Sequence, residues 1–455
     1  MSTLILDGCA IVSMDSGRSE HASGHIVVTG NRITAIGPGA APRQSRTADA
    51  DTRVLDAGGC LATPGLINTH HHLYQWATMG AAADSTLFEW LTALYPVWAR
   101  LDAETVQAAA TAALGWLARS GCTTTMDHHY VFPRSGGDVL GATVAAAADV
   151  GVRFHPTRGS MDLGKRSGGL PPDSVVESRD EILTATQDAI ERFHDPSPES
   201  MVRIGVAPCS PFSVTAELMT EAAELARRHG LRLHTHLAET ADEEDFCRQR
   251  FGCTPVEYVD SLGWLGEDVW LAHAVHLDDR AIARLGATGT GVAHCPSSNG
   301  RLGAGVCRSR ALLEAGVPVG LGVDGAASSE ATSLLGEVRM AVLVARAAGG
   351  PKAMSVRQAL ELATLGGARV LGREAEIGSL EPGKLADIAL WRLDGLPHSA
   401  IADPVVALVL GAPAPLELLL VNGEPVVEQD RLVRVAEDQV TAEAGRAATR
   451  LRSPA

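Results

Sequence analysis

The sequence predicts an α/β protein: a (β/α)8 TIM-type barrel with a small β-sandwich domain built from both chain ends. Three observations predict it. Eight short β-branched runs alternate with Ala/Leu/Glu/Arg-rich helical stretches between about residues 62 and 370. Both termini alternate apolar and polar residues around turn signals, the pattern of half-buried strands. The length, 455 residues, suits one large barrel plus an appendage and exceeds what a single small sandwich needs. The expected boundaries are 1–61 together with 371–455 for the discontinuous small β domain, and 62–370 for the catalytic barrel.

In chain order, residues 3–37 read as β-hairpins, with Thr29-Gly30-Asn31-Arg32 turning between Ile26-Val27-Val28 and Ile33-Thr34-Ala35-Ile36. The barrel strands are expected within Ala62–His72, Cys122–Tyr130, Val152–Gly159, Val202–Ser210, Leu231–Glu239, Val269–Leu277, Gly291–Asn299 and Val317–Gly325. Ser167–Asp173, rich in Gly and Pro, reads as a loop. Past Gly378–Lys384 the strands resume: Ala386–Trp391, then Leu418–Val421 joined through Asn422-Gly423 to Pro425-Val426-Val427.

Acidic residues outnumber basic ones, 54 to 38, for a formal charge of −16. Such a surface repels polyphosphate and anionic lipid, so neither nucleic acid nor membrane is an expected partner. Eight cysteines are scattered without a C-x-x-C pair, and a chain this long needs no disulfide framework. No window approaches the roughly 18 apolar residues of a membrane span, and the N-terminus lacks a signal-peptide pattern. A cytoplasmic protein, homo-oligomeric and acting on a small molecule, is the expectation.

Eleven of the sixteen histidines fall in the eight runs, which make up about a sixth of the chain. Core packing favours Val, Ile and Leu at barrel strand ends, so this concentration points to metal binding and proton transfer. His70 and His72, in Asn68-Thr69-His70-His71-His72, are two apart, and in an extended strand they face the same way while His71 faces the other. The fifth run ends His234-Thr235-His236-Leu237-Ala238-Glu239; either histidine has the chemistry of a ligand, but His236 lies nearer the mouth. Glu239, where strand gives way to loop, is placed to take a proton from an activated water and deliver it to a leaving group. His273 ends the sixth run and Asp324 the eighth. One carboxylate and three imidazoles make an ordinary Zn²⁺ site, and similar ligands hold Fe²⁺. His273 has two possible jobs, as ligand or as hydrogen-bond partner of water and substrate. Cys209 and Cys295 lie near strand ends, but a metal set already supplies a nucleophile, so covalent catalysis is disfavoured.

These segments resemble the amidohydrolase superfamily in its branch of aminohydrolases and triazine hydrolases, and most of all 8-oxoguanine deaminases. The resemblance runs through TPGLINTHHHLYQ (63–75), FEWLTALYPVWARL (88–101), GCTTTMDHHY (121–130), TRGSMDLGK (157–165), APCSPFSVT (207–215), LRLHTHLAETADEEDFC (231–247), WLAHAVHL (270–277), HCPSSN (294–299) and GVDG (322–325). It implies that His70, His72, His236 and Asp324 hold one metal, usually zinc, and that Glu239 and Asp324 move protons. His273 would hydrogen-bond water or the tetrahedral centre. Gln75 matches the glutamine that holds the purine, and Cys209 stands where guanine deaminases carry arginine. After Asp324-Gly325 the chain departs from the family's S-x-S-N-[DN], placing Ser329 where asparagine is usual and Glu330 after it. That loop borders the pocket, so Ser329 joins Gln75 and Cys209 as an expected substrate contact. The implied reaction is deamination of a purine-like ring, foremost 8-oxoguanine to urate and ammonia. Guanine, isoxanthopterin or another pterin, an s-triazine losing chloride or amine, and a catalytically silent binding barrel are the alternatives.

Overall fold

The computed structural model describes residues 2–42 and 52–453. Residues 43–51, within the stretch 1–61 expected to contribute to the small β domain, lie outside the described residues. Seventeen strands are present among those described: β1 (Thr3–Val12), β2 (Glu20–Thr29), β3 (Arg32–Pro38), β4 (Thr52–Asp56), β5 (Cys60–Pro64), β6 (Leu66–Asn68), β7 (Cys122–His129), β8 (Arg153–Ser160), β9 (Gly205–Pro208), β10 (Leu233–Leu237), β11 (Val269–His273), β12 (Gly291–His294), β13 (Val319–Leu321), β14 (Ile388–Arg392), β15 (Leu416–Val421), β16 (Glu424–Glu428) and β17 (Arg431–Leu432).

Strands β6 to β13 close into an eight-stranded barrel in sequence order, every neighbouring pair parallel. Parallel neighbours need long crossovers, and the Ala/Leu-rich stretches between the runs supply them as helices, among them Ala103–Arg119, Val139–Val150 and Ala216–Arg228. The remaining strands form one mixed sheet in the order β17-β16-β15-β14-β5-β1-β2-β3, with β4 beside β1. Its centre, β14–β5–β1, joins strands from opposite ends of the chain. The sheet has its own core, including Leu6, Ile11, Ile26, Val28, Ile388 and Leu418, so it can exist only once both termini are in place.

One expectation needs correcting. The first run, Ala62–His72, is not a single barrel strand: β5 belongs to the terminal sheet and only β6 to the barrel. The break is Pro64-Gly65. A side chain on Gly65 would lie 2.2 Å from Thr123 Cγ2, so only glycine lets the chain pass this close to β7 as it changes sheets. The two sheets are locked together nearby. Arg153 of β8 donates two hydrogen bonds to Asp387, at 3.1 and 3.0 Å, and both side chains are buried. The chain then ends on a helix, Glu437–Arg452, that returns to pack on Ala103–Arg119 at the barrel's exterior.

Candidate metal centre and active site

The histidines gather where the barrel strands end. His70 and His72 lie just past β6, His236 in β10, His273 at the last residue of β11, and Asp324 three residues beyond β13. His273 and Asp324 turn sharply there, with left-handed φ values of 72° and 61°. Non-glycine residues adopt that conformation at a cost, and such strain concentrates at functional sites.

Hydrogen bonding fixes the tautomer of three imidazoles. His72 Nδ1 lies 2.7 Å from the His128 carbonyl and His236 Nδ1 2.7 Å from the Cys209 carbonyl. A carbonyl only accepts, so each Nδ1 carries the proton and each Nε2 presents a lone pair. Yet these two Nε2 atoms face each other at 3.1 Å. His70 is fixed by relay: His234 Nδ1 donates to the Trp270 carbonyl (2.9 Å), leaving His234 Nε2 to accept from His70 Nδ1 (2.9 Å). The Nε2 of His70 therefore also offers a lone pair, and it has no hydrogen-bond partner. Burial pushes all three imidazoles toward the neutral form, His236 down to about 3.

Asp324 Oδ1 lies 3.3 Å from His70 Nε2 and 3.4 Å from His72 Nε2. Lone pairs converging on one another and on a carboxylate oxygen repel unless a cation lies between them, so the residues present fit a divalent metal. Two overlapping sets have ligand atoms mutually within 4.8 Å: His70, His72, His128 and His236, and His70, His273 and Asp324. His128 stacks face to face on His236 and donates through Nε2 to the Ala207 carbonyl, which gives it the placement of a support for His236.

Beside this cluster, Glu239 and His273 lie side by side. Burial raises the Glu239 carboxyl to about 7. His273 Nε2 is 3.7 Å from Glu239 and 4.0 Å from Asp324. Burial works against charge on His273, but Glu239 and Asp324 outweigh it and hold its pKa above that of free imidazole. The loop under Glu239 is clamped by Glu243, whose carboxylate accepts the N–H groups of Ala238 (2.8 Å) and Glu239 (3.1 Å).

His72, Gln75, Cys209, His236, Glu239, His273 and Asp324 all line one cavity of about 400 Å³ including its open mouth. His70 lies beneath it. Ser329 is buried beside the site with its hydroxyl unpartnered, while its neighbour Ser328 lines the cavity and donates to Asp324. The Cys209 thiol is pushed up to about 12 by burial and stays protonated, a weak donor and no nucleophile. Burial likewise raises Cys295 well above the free thiol.

Sequence reasoning missed the aromatic walls Trp90, Tyr95, Tyr130 and Phe212, and gave no role to Ser298 and Asn299. Ser298 Oγ donates to Asp324 Oδ2 at 2.5 Å, and His273 Nδ1 donates to Asn299 Oδ1 at 2.9 Å. Their position in His294-Cys295-Pro296-Ser297-Ser298-Asn299, at the end of a barrel strand, was the available signal.

Known proteins resemble the chain along nearly its whole length. The model of the amidohydrolase family matches residues 61–426. An 8-oxoguanine deaminase of Pseudomonas aeruginosa is 46% identical over 404 residues, covering 88% of this chain and 89% of that protein. An isoxanthopterin deaminase from an unknown prokaryotic organism is 38% identical, with 98% and 96% covered. Among solved structures, an atrazine chlorohydrolase from Arthrobacter aurescens TC1 complexed with zinc superposes with a TM-score of 0.93 at 33% identity, covering 98% of this chain and all of that one.

Proposed function

The chain belongs to the amidohydrolase family and is a hydrolase of C–N bonds, and from that premise we propose that it deaminates an oxidised purine, 8-oxoguanine, to urate and ammonia. The observation that carries this reading is the joining, at the floor of one cavity, of the lone-pair cluster of His72, His236 and Asp324, with His70 beneath them, and a carboxyl group poised near neutrality. We assign zinc to the cluster: a divalent ion there supplies positive charge that acidifies water and stabilises anionic oxygen.

The protein's own groups do the rest. Glu239, whose carboxyl is raised to about 7 by burial, can take a proton from the attacking water, then return one to the exocyclic nitrogen. The water oxygen bonds to the ring carbon bearing the amino group; one of its protons ends on the adjacent ring nitrogen and the other on the exocyclic nitrogen, which leaves as ammonia when the C–N bond breaks and the C=O forms. Asp324, with hydroxyls from Ser298 and Ser328 on Oδ2, is held in one orientation for its part in that transfer. His273, fixed by Asn299, presents Nε2 toward Glu239 and Asp324, where it can donate to the oxygen of the tetrahedral centre.

Substrate choice falls to the walls. Trp90, Tyr95, Tyr130 and Phe212 suit a flat ring, and Gln75, whose Oε1 is buried without a partner, offers an amide to a ring edge. Cys209 places a small neutral thiol at the wall, so a ligand needing a cation there is rejected. Ser329, with a buried unpartnered hydroxyl, stands behind the wall that its neighbour Ser328 forms. All eight cysteines are free thiols, which supports a reducing cytoplasm as the site of action.

The test is to present zinc-loaded protein with 8-oxoguanine, guanine, isoxanthopterin and a chlorotriazine, following ultraviolet spectra and ammonia. We expect the highest kcat/KM on 8-oxoguanine. Turnover of none of the amino-heterocycles would sink the proposed reaction, and a preference for the chlorotriazine would move it to dechlorination.

A further inference from the structure

Glu337 lies in the first turn of the helix Leu334–Gly349, is 2% exposed and does not line the cavity. Its carboxylate accepts the backbone N–H of Ser297 at 3.1 Å. Burial raises its pKa to about 8, and the charged neighbour that bears on it, Asp324, repels it. A carboxyl group enclosed without a cation is a poor choice for stability, because an apolar residue of similar size costs less to bury. The two residues after Ser297 give the contact its importance. In the short helix Pro296–Arg301, Ser298 holds Asp324 at 2.5 Å and Asn299 holds His273 at 2.9 Å. One buried carboxylate therefore anchors the turn from which both a metal-side carboxylate and a proton-handling imidazole are oriented.

We propose that Glu337 is a positioning residue for the hydrolytic site, fixing Ser297 so that Ser298 orients Asp324 and Asn299 orients His273. This rests on the roles given to Asp324 and His273 in the proposed reaction. A support of this kind, one layer behind the reacting groups, typically carries a roughly 10- to 100-fold effect on metal affinity or activity. The requirement is for an acceptor at this point, so a glutamine carbonyl oxygen suffices and a leucine does not.

The experiment compares Glu337→Leu with Glu337→Gln as full-length zinc enzymes. In Glu337→Leu we expect kcat on 8-oxoguanine to fall about 10- to 100-fold with KM within about threefold, and zinc affinity, read by competition with a chromophoric chelator, to fall about tenfold. Glu337→Gln should restore both to within about threefold of the parent. Thermal stability of the leucine variant should stay close to the parent's, since an apolar side chain of similar size replaces a buried polar one while the Ser297 N–H loses its acceptor. Unchanged kcat and zinc affinity in Glu337→Leu overturns the proposal. So does equal damage in both variants accompanied by a lowered Tm, the behaviour of a purely structural contact. Zinc affinity needs no turnover, so an inactive parent protein would count against the proposed reaction while the competition experiment still decides the role of Glu337.

Discussion

Replacing Glu239 with glutamine removes one ionisable proton site and almost nothing else. The side chain is 5% exposed and near-isosteric with glutamine, and its nearest charged neighbour is His273 Nε2 at 3.7 Å. The cavity shape, the zinc ligands and Gln75 are untouched, so KM and zinc content should stay near parental values. A general acid/base contributes about 10²- to 10⁴-fold, which is about 3 to 5 kcal/mol of barrier. We therefore expect kcat to fall by that factor in steady-state assays of urate formation. The same change acts on stability with a definite sign. In the metal-free folded protein the Glu239 carboxyl keeps its proton up to about pH 7, whereas the unfolded chain releases it near 4.5. Stability linked to this group is thus fully present below pH 4.5 and is lost as pH rises through 7. The gap corresponds to about 3 kcal/mol at about 1.36 kcal/mol per pH unit, an upper bound for so enclosed a group. Glutamine does not titrate, so metal-free Glu239→Gln should equal the parent at about pH 4 and be the more stable of the two at about pH 8, by up to that amount in urea titrations. A kcat within tenfold of the parent would remove Glu239 from the role assigned to it, and a variant less stable at the higher pH would refute the burial argument.

Other consequences are equally specific. Arg153→Met leaves Asp387 buried and unpaired between the two sheets, and breaking such a pair costs about 3 to 5 kcal/mol, so Tm should drop clearly in calorimetry while kcat holds in the protein that remains folded. Gly325→Ala would place a methyl group 1.8 Å from Gln75 Oε1, forcing that side chain away; KM for the purine should rise at least about tenfold, the cost of one misplaced polar contact, with zinc content unchanged by metal analysis. Chelation should abolish turnover and lower the unfolding temperature, because an ion that binds only the folded state at about 1,000 times its Kd adds about 4 kcal/mol.

The barrel was legible because its strands carry a signal that sequence preserves, β-branched runs separated by helical stretches, and all eight barrel strands lie at the runs expected of them. The misread element, Ala62–His72, failed for a physical reason: periodicity reports that residues are extended and buried, not which sheet they hydrogen-bond, and Pro64-Gly65 hands the chain from one sheet to the other inside a single apolar run. His70, His72, His236, Glu239, His273 and Asp324 could be picked out because such residue types are rare at barrel strand ends, and the structure brings them together there. Gln75 and Cys209 needed the family resemblance as well, yet both line the same cavity. Ser298, Asn299 and Glu337 escaped notice because their place shows only through hydrogen bonds to residues distant in sequence, across 26 positions for Ser298–Asp324 and 40 for Ser297–Glu337. Such long-range pairings exist only once the barrel has closed.

The most direct test is to incubate the zinc-loaded protein with 8-oxoguanine in ¹⁸O-enriched water and analyse the products by mass spectrometry and ammonia assay. Hydrolytic deamination at this site requires urate carrying one solvent oxygen and one ammonia for each urate formed. Ammonia without solvent oxygen in the product, or no urate from protein that has bound its zinc, would contradict it.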